Sequence, residues 1–314
     1  MTPWRVRVGA VFLVGWVALA TFAPVLPLRD PAAQPDGRVL RNLPPWTRAH
    51  AVRLADGSLR YADEIRRGPE HDLAIRRGDA WTTLPSGALA GEAPTRPLFV
   101  LGTDALGRDL LSRLVWGARV SLAVGLLAAL VAVAIGGSVG LAAGLAGGAW
   151  DTVLMRLTDA ALSVPRLFLL LLLAALFRPS VPVLIVVVGA TTWMAAARLV
   201  RAETQTARGR DFVAAARSSG ASPWAIATRH LLPHASAVLG VEACVRLGQA
   251  VLLEASLSFL GLGVPPPTAS WGGLIADGRD RLLDAWWIAT WPGLALAIVV
   301  IGANLVADGA RERL

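Results

Sequence analysis

His230 and His234 stand one helical turn apart, a spacing that places both imidazoles on one face and suits a shared metal ion. A metal site needs more ligands than two, no third ligand stands near them in the chain, and Pro233 between them works against a regular helix. Glu242 and Arg246 are spaced i,i+4 and suit an ion pair along a helix. Inside a bilayer such pairing matters, because one unpaired charge at the centre costs roughly 2.5–3.5 kcal/mol on insertion scales. Asp159 and Arg166 lie two turns apart and would share a face, and Glu254 falls near the end of an apolar stretch, where an interface contact is expected. These five are the candidates for lining a pore or sealing an interface. No Ser-His-Asp arrangement stands out, since Ser218 and Ser219 precede a glycine and are turn residues first. The chain contains no lysine, so it cannot supply the P-loop lysine that reaches nucleotide phosphates. No catalytic residue, no metal and no cofactor are therefore expected.

The elements that must position these residues are membrane helices. Of 314 residues, 55% are hydrophobic and 17% charged, against about 25% charged in ordinary soluble domains. Mean hydropathy is +0.56. Six stretches are apolar enough to cross a bilayer, at 6–26, 120–146, 155–177, 181–199, 235–254 and 287–306. For the first, Arg5 and Arg7 before an apolar run with Ala18-Leu19-Ala20 also fit a secretory signal, but the run continues past Ala20 and favours a spanning helix. Cys244 lies inside an apolar stretch, and a single cysteine can form neither an intramolecular disulfide nor a Cys-based metal site. The net charge of +8 is all arginine on the basic side, placed beside apolar stretches, which speaks for membrane orientation rather than nucleic acid.

Short-loop arginines set that orientation. Arg5, Arg7, Arg201, Arg208, Arg210, Arg217 and Arg229 place the N-terminus and the loop after 199 in the cytoplasm, while Arg279 and Arg281 are outweighed by Asp277, Asp280 and Asp284. An even number of crossings returns the C-terminus to the cytoplasm and leaves 28–112 outside. Trp116, Trp286, Trp287 and Trp291 mark outer helix ends and Trp150 an inner one. The expected fold is an all-α polytopic membrane protein of about six transmembrane helices. Its parts are an N-terminal helix (1–27), an extracytoplasmic insertion (28–112) and a core (113–314) with a cytoplasmic loop at 202–234. The insertion reads as an ordered loop, with a hairpin signal at Asp56-Gly57 between alternating apolar residues.

The loop carries "AAARSSGASPWAIATRHLLP" (214–233). The alanine-rich run from 211 to 219 suits a helix, and Gly220 a residue just past a helix end. Ser222 then Pro223 is an N-cap followed by the favoured first helical position. A second helix would run to about Leu231, and Pro233 would end or kink it. Ala214, Ala215 and Ala216 leave room for another surface to approach closely.

This stretch resembles the EAA loop of permease subunits of binding-protein-dependent ABC importers. The family pattern is Glu-Ala-Ala, three residues, Gly, nine residues, Ile, one residue, Leu-Pro. Here Ala214, Ala215 and Ala216, Gly220, Leu232 and Pro233 keep that spacing, while Ala214 replaces Glu and His230 replaces Ile. The carboxylate missing at 214 removes a salt bridge that the family motif offers its partner. "LGTDALGRDLLSRLVWGARVSL" (101–122), "MRLTDAALSVP" (155–165), "ARLVR" (197–201), "EASLSFLGLGVPPPTASWG" (254–272) and "NLVADGARE" (304–312) resemble the dipeptide, oligopeptide and nickel branch. The resemblance implies a permease subunit of the cell inner membrane that forms half of a pore for peptides or a related solute. It implies as partners a second homologous permease, two cytoplasmic ATPase subunits and an extracytoplasmic substrate-binding protein. It also implies that 214–216, Gly220, Ser222, Pro223, Leu232 and Pro233 couple to the ATPase. A self-sufficient channel or secondary transporter, and a membrane-anchored enzyme acting through 28–112, are the alternatives.

Overall fold

The computed structural model describes residues 3–68, 72–90 and 94–312. Its elements, in order, begin with α1 (Pro3–Phe22), then seven short strands: β1 (Thr47–Arg48), β2 (His50–Arg53), β3 (Leu59–Ala62), β4 (Glu64–Arg67), β5 (Leu73–Arg77), β6 (Ala80–Leu84) and β7 (Leu98–Phe99). Ten further helices follow: α2 (Leu110–Ala146), α3 (Gly148–Ser163), α4 (Arg166–Leu176), α5 (Val181–Ala190), α6 (Met194–Arg208), α7 (Asp211–Ser218), α8 (Pro223–Ile226), α9 (Leu232–Phe259), α10 (Trp271–Gly278) and α11 (Trp287–Arg311). The chain divides into two compact units, one of Met1–Ala18, Val120–Pro265 and Leu296–Leu314, the other of Leu19–Arg119 and Pro266–Ala295.

Among the described residues, four helical runs are long and apolar enough to cross a membrane: Trp4–Phe22, Leu110–Ala146, Pro223–Phe259 and Trp287–Arg311. The pair α5 and α6, bent by 47°, makes a fifth if counted as one span. Of the six expected stretches, 155–177 departs most. It is two helices, because Pro165 lacks an N–H and biases Val164 to extended backbone (φ −77°, ψ 124°). Asp159 and Arg166 therefore sit on different helices and do not share a face. Helix α2 starts well before 120. Asp109 caps it, accepting from the Ser112 N–H at 2.9 Å. At 37 residues it is about 55 Å long, more than the ~30 Å hydrocarbon core needs.

The all-α expectation fails in the second unit, where 28–112 is built on β-structure. Strand β1 pairs β7, β2 pairs β3, and β4-β5-β6 form a three-stranded antiparallel sheet. The hairpin signal at Asp56-Gly57 does turn β2 into β3: Gly57 has φ +82° and Asp56 accepts from the Ser58 N–H at 2.8 Å. A second turn, at Gly78 (φ +65°), joins β5 to β6, and the Gly78 N–H donates to Asp63 at 2.7 Å. Alternation buries Val52, Ala62, Leu73, Ile75 and Leu84 in one cluster, and Leu40, Ala49, Ala51, Tyr61 and Phe99 in another. In the three-stranded sheet Arg66 and Arg76 lie on the opposite face, and Arg66 stacks 4.6 Å over the Trp81 ring; Arg67 and Arg77 fall in register with the buried residues.

The same unit holds a buried ion cluster. Asp104 is 1% exposed and accepts from the Leu106 and Arg108 N–H groups, both at 2.9 Å. Its other oxygen takes Arg108 Nε at 2.6 Å and Arg113 Nη1 at 2.5 Å. Both guanidiniums also reach Asp277, at 3.2 and 3.1 Å. Removing Asp104 leaves two buried arginines facing one half-exposed carboxylate. Asp104→Ala is expected to lower unfolding stability by about 3–5 kcal/mol. Asp104→Asn, which can still accept from the backbone, should cost less. Denaturation of the purified protein in detergent, followed by tryptophan fluorescence, ranks the two.

Candidate coupling site

Local cap chemistry builds the 202–234 stretch. Helix α7 ends in a Schellman turn: the Gly220 N–H donates to Arg217 O at 2.9 Å and the Ala221 N–H to Ala216 O at 3.0 Å. That turn needs a left-handed residue, and Gly220 supplies it at φ +80°. Ser222 caps α8, accepting from the Ala225 N–H at 3.2 Å, with Pro223 in the first turn. Pro233 does not end the next helix. A π turn at Ala227–Leu231 widens the coil, accommodating the missing proline N–H and its ring, and the helix runs on into α9.

The stretch has an inner and an outer face. Ala207, Val213, Ile226 and Leu231 form a buried cluster, with Leu141, Leu145, Ala216 and Ala221 packed against it. Ala216 therefore faces inward. Ala214, Ala215, Gly220, Ser222, Pro223, Leu232 and Pro233 are exposed, and beside them Phe212 and Trp224, the latter 77% exposed. No group of three or more metal-ligating side chains includes His230 and His234 among the described residues. Both rings flank Phe212, at 6.5 and 6.1 Å, and His234 Nε2 lies 3.0 Å from Glu203 Oε1.

The inner face rests on α2 and α6. Cβ atoms added at Gly136, Gly140 and Gly144 would fall 2.5 Å from Trp193 O, 2.4 Å from Ala197 O and 2.6 Å from Thr204 Cβ. The glycine stripe is thus a backbone-to-backbone seam between α2 and α6. Gly148 lies beyond it, with open space at its Cβ position and φ +53°. The start of α3 is held to α6 by a two-pronged ion pair, Arg201 Nε to Asp151 Oδ1 at 2.5 Å and Nη2 to Oδ2 at 2.7 Å, joined by Gln205 at 3.1 Å.

A family model described as the binding-protein-dependent transport system inner membrane component matches residues 136–314, more than half the chain. The chain belongs to this family. Three relatives are transport permeases. The di/tripeptide transport system permease protein of Pseudomonas aeruginosa is 39% identical over 78% of this chain and 79% of its own. The oligopeptide transport system permease protein of Escherichia coli K12 is 41% identical over 68% of this chain and 70% of its own. The glutathione transport system permease protein of Shigella flexneri is 41% identical over the same shares. The protein is thus a transport permease of an ABC importer complex, a multi-pass inner-membrane component and not itself catalytic.

Within the permease, the other candidate residues separate. Glu242 and Arg246 form the expected ion pair, 3% and 7% exposed, with Arg246 Nε donating to Glu242 Oε1 at 2.6 Å and Nη1 to Gln249 at 2.6 Å. Asp159 pairs with Arg198 rather than sharing a face with Arg166. Glu254, expected at an interface, is wholly buried in its own chain and accepts from Ser121 at 3.0 Å and Ser258 at 2.8 Å. Sequence reasoning missed Val213 and Ile226, the core residues of the stretch, because other apolar residues, Phe212 and Trp224, stand beside them and are exposed. It also missed Asp151, whose partner Arg201 stands 50 residues away.

Asp151 gives the permease an acid-sensitive corner. The Arg201 hydrogen bond first, then the Arg201 charge and the Gln205 contact, hold its carboxyl below the usual carboxylate range. A lowered folded pKa means that stabilisation is fully present above the unfolded value, about 4, and fades as pH falls through the folded one. Asp151→Asn should unfold more easily than the parent at pH 7. The difference should shrink as the pH is taken below about 4, as melting curves across pH would show.

Proposed function

We propose that this permease forms half of the translocation pore of an ATP-driven importer for peptides or a related small solute. Its 202–234 loop docks on a separate cytoplasmic ATPase. The observation that carries the reading is the paired face of 202–234. A small-residue outer surface at Ala214 and Ala215, flanked by Trp224, is held by its own core and by two capped turns. A solvated connector needs neither the core nor the caps. The chain has no lysine for a P-loop, so a partner must hydrolyse the nucleotide. The peptide substrate class is drawn from the names of the relatives.

In this reading the working complex contains a second homologous permease, two ATPase subunits and an extracytoplasmic binding protein. The arginine asymmetry of the short loops supports cytoplasmic termini, a cytoplasmic 202–234 and an extracytoplasmic 28–112. The domains are then 1–27, 28–112 and 113–314. Arg166, Glu242 and Arg246 are the candidates for the pathway.

Gly220 offers the test. A Cβ there meets nothing within 4 Å, so a substitution acts through the backbone and not through a clash. At φ +80° a β-branched residue is strained, while Asn tolerates the left-handed region. Gly220→Val should reach the membrane at parental abundance, retain less ATPase on purification and lose uptake. Gly220→Asn should keep most of both. Parental uptake by Gly220→Val would reduce the stretch to a connector.

A further inference from the structure

Two cavities of the first unit meet beside the coupling stretch. One, of about 410 Å³, is walled by Gly137, Leu141, Leu145, Ala227 and Leu232, with Trp224 at its edge. The other, of about 520 Å³, contains Arg208 and Arg217. They share Ala142, Leu145 and Pro223 and so adjoin there, an apolar half beside a basic half of what we take as one groove. No acidic side chain is among the described residues lining either half. Arg208 makes one long contact to Gly144 O, at 3.4 Å, and neither arginine has an ion-pair partner among the described residues. Two uncompensated guanidiniums at the end of an apolar trough describe an amphiphile with an anionic head.

We propose that this groove binds an anionic glycerophospholipid. Its acyl chain would lie along α2 and the start of α9, and its phosphate between Arg208 and Arg217. The apolar half is cut into the last turns of α2, a helix apolar and long enough to span, so it lies where lipid chains are at hand. Trp150, 70% exposed, marks the interfacial level at which a headgroup would sit. Basic pockets between membrane helices on the cytoplasmic side recognise phosphorylated headgroups by the same physics. The inference rests on the proposed cytoplasmic placement of 202–234. It adds that the lipid props the coupling stretch, because Pro223 and Ile226 line the basic half.

The test uses the whole transporter, with ATPase and second permease in place, solubilised from membranes of phosphatidylglycerol and phosphatidylethanolamine. Native mass spectrometry counts the retained lipids. The parent should hold phosphatidylglycerol in preference to phosphatidylethanolamine. The double variant Arg208→Gln/Arg217→Gln should lose that retention by on the order of tenfold. Ala142→Phe, which fills the trough and leaves both arginines, should lose it as well, whereas free inorganic phosphate should not displace the lipid. Equal retention of both headgroups by the parent would overturn the proposal, as would unchanged retention in both variants. So would a cysteine at Leu145, in a Cys244→Ser background, that cross-links to a protein subunit and not to a photoactivatable phosphatidylglycerol. ATPase retention is scored in the same spectra. A parent that keeps its ATPase but no anionic lipid overturns this inference alone, and a parent that holds no ATPase counts against the functional reading.

Discussion

Helices α2 and α6 touch backbone to backbone, and the 202–234 stretch depends on that contact. At Gly136, Gly140 and Gly144 there is no room for even one methyl group. Helix α6 is thereby fixed along α2, and its buried side, from Met194 through Ala207, is fixed with it. Two consequences follow within the same unit. Arg201 is delivered to Asp151, which ties down the start of α3. Ala207 is delivered to Val213, Ile226 and Leu231, which closes the core under α7 and α8. A widened α2–α6 seam would loosen both.

The second constraint is continuity. Pro233 would normally break a helix at a cost of about 3 kcal/mol. The π turn at 227–231 adjusts the hydrogen-bond ladder there, and one helical run carries from Pro223 to Phe259. In the proposed mechanism this is the element that conveys motion of the docked ATPase into the membrane. The buried Glu242–Arg246 pair lies on that run and adds a polar contact inside it. Burying such a pair is no argument for stability in itself, but losing one partner would be severe.

Legibility in the sequence followed the range of the interactions. The caps at Ser222 and Gly220 were readable because each is local: one side chain or one φ angle decides it. Gly136, Gly140 and Gly144 repeat at i,i+4 and so share one helix face, but nothing in that spacing names α6 as the facing helix. The stretch 155–177 misled because the apolar run 167–177 carries its average hydropathy, while Arg156, Asp159 and Arg166 interrupt the first half and Pro165 breaks the backbone. The 28–112 segment showed one hairpin signal and concealed the rest. Its strands are four or five residues at most and carry arginines among their apolar residues, so their mean hydropathy is low. The Asp104 cluster was hidden for a different reason: Arg113 and Asp277 stand 164 residues apart.

The central claim is that the outer face of α7 meets an ATPase while its inner face does not. Single cysteines at Ala215, which is exposed, and Ala216, which faces the core, test it in a Cys244→Ser background. With a short bifunctional reagent and the assembled transporter, the account predicts a cross-link to the ATPase subunit from position 215 and little from 216. No ATPase cross-link from 215, equal yield from both positions, or capture of the extracytoplasmic binding protein would contradict it.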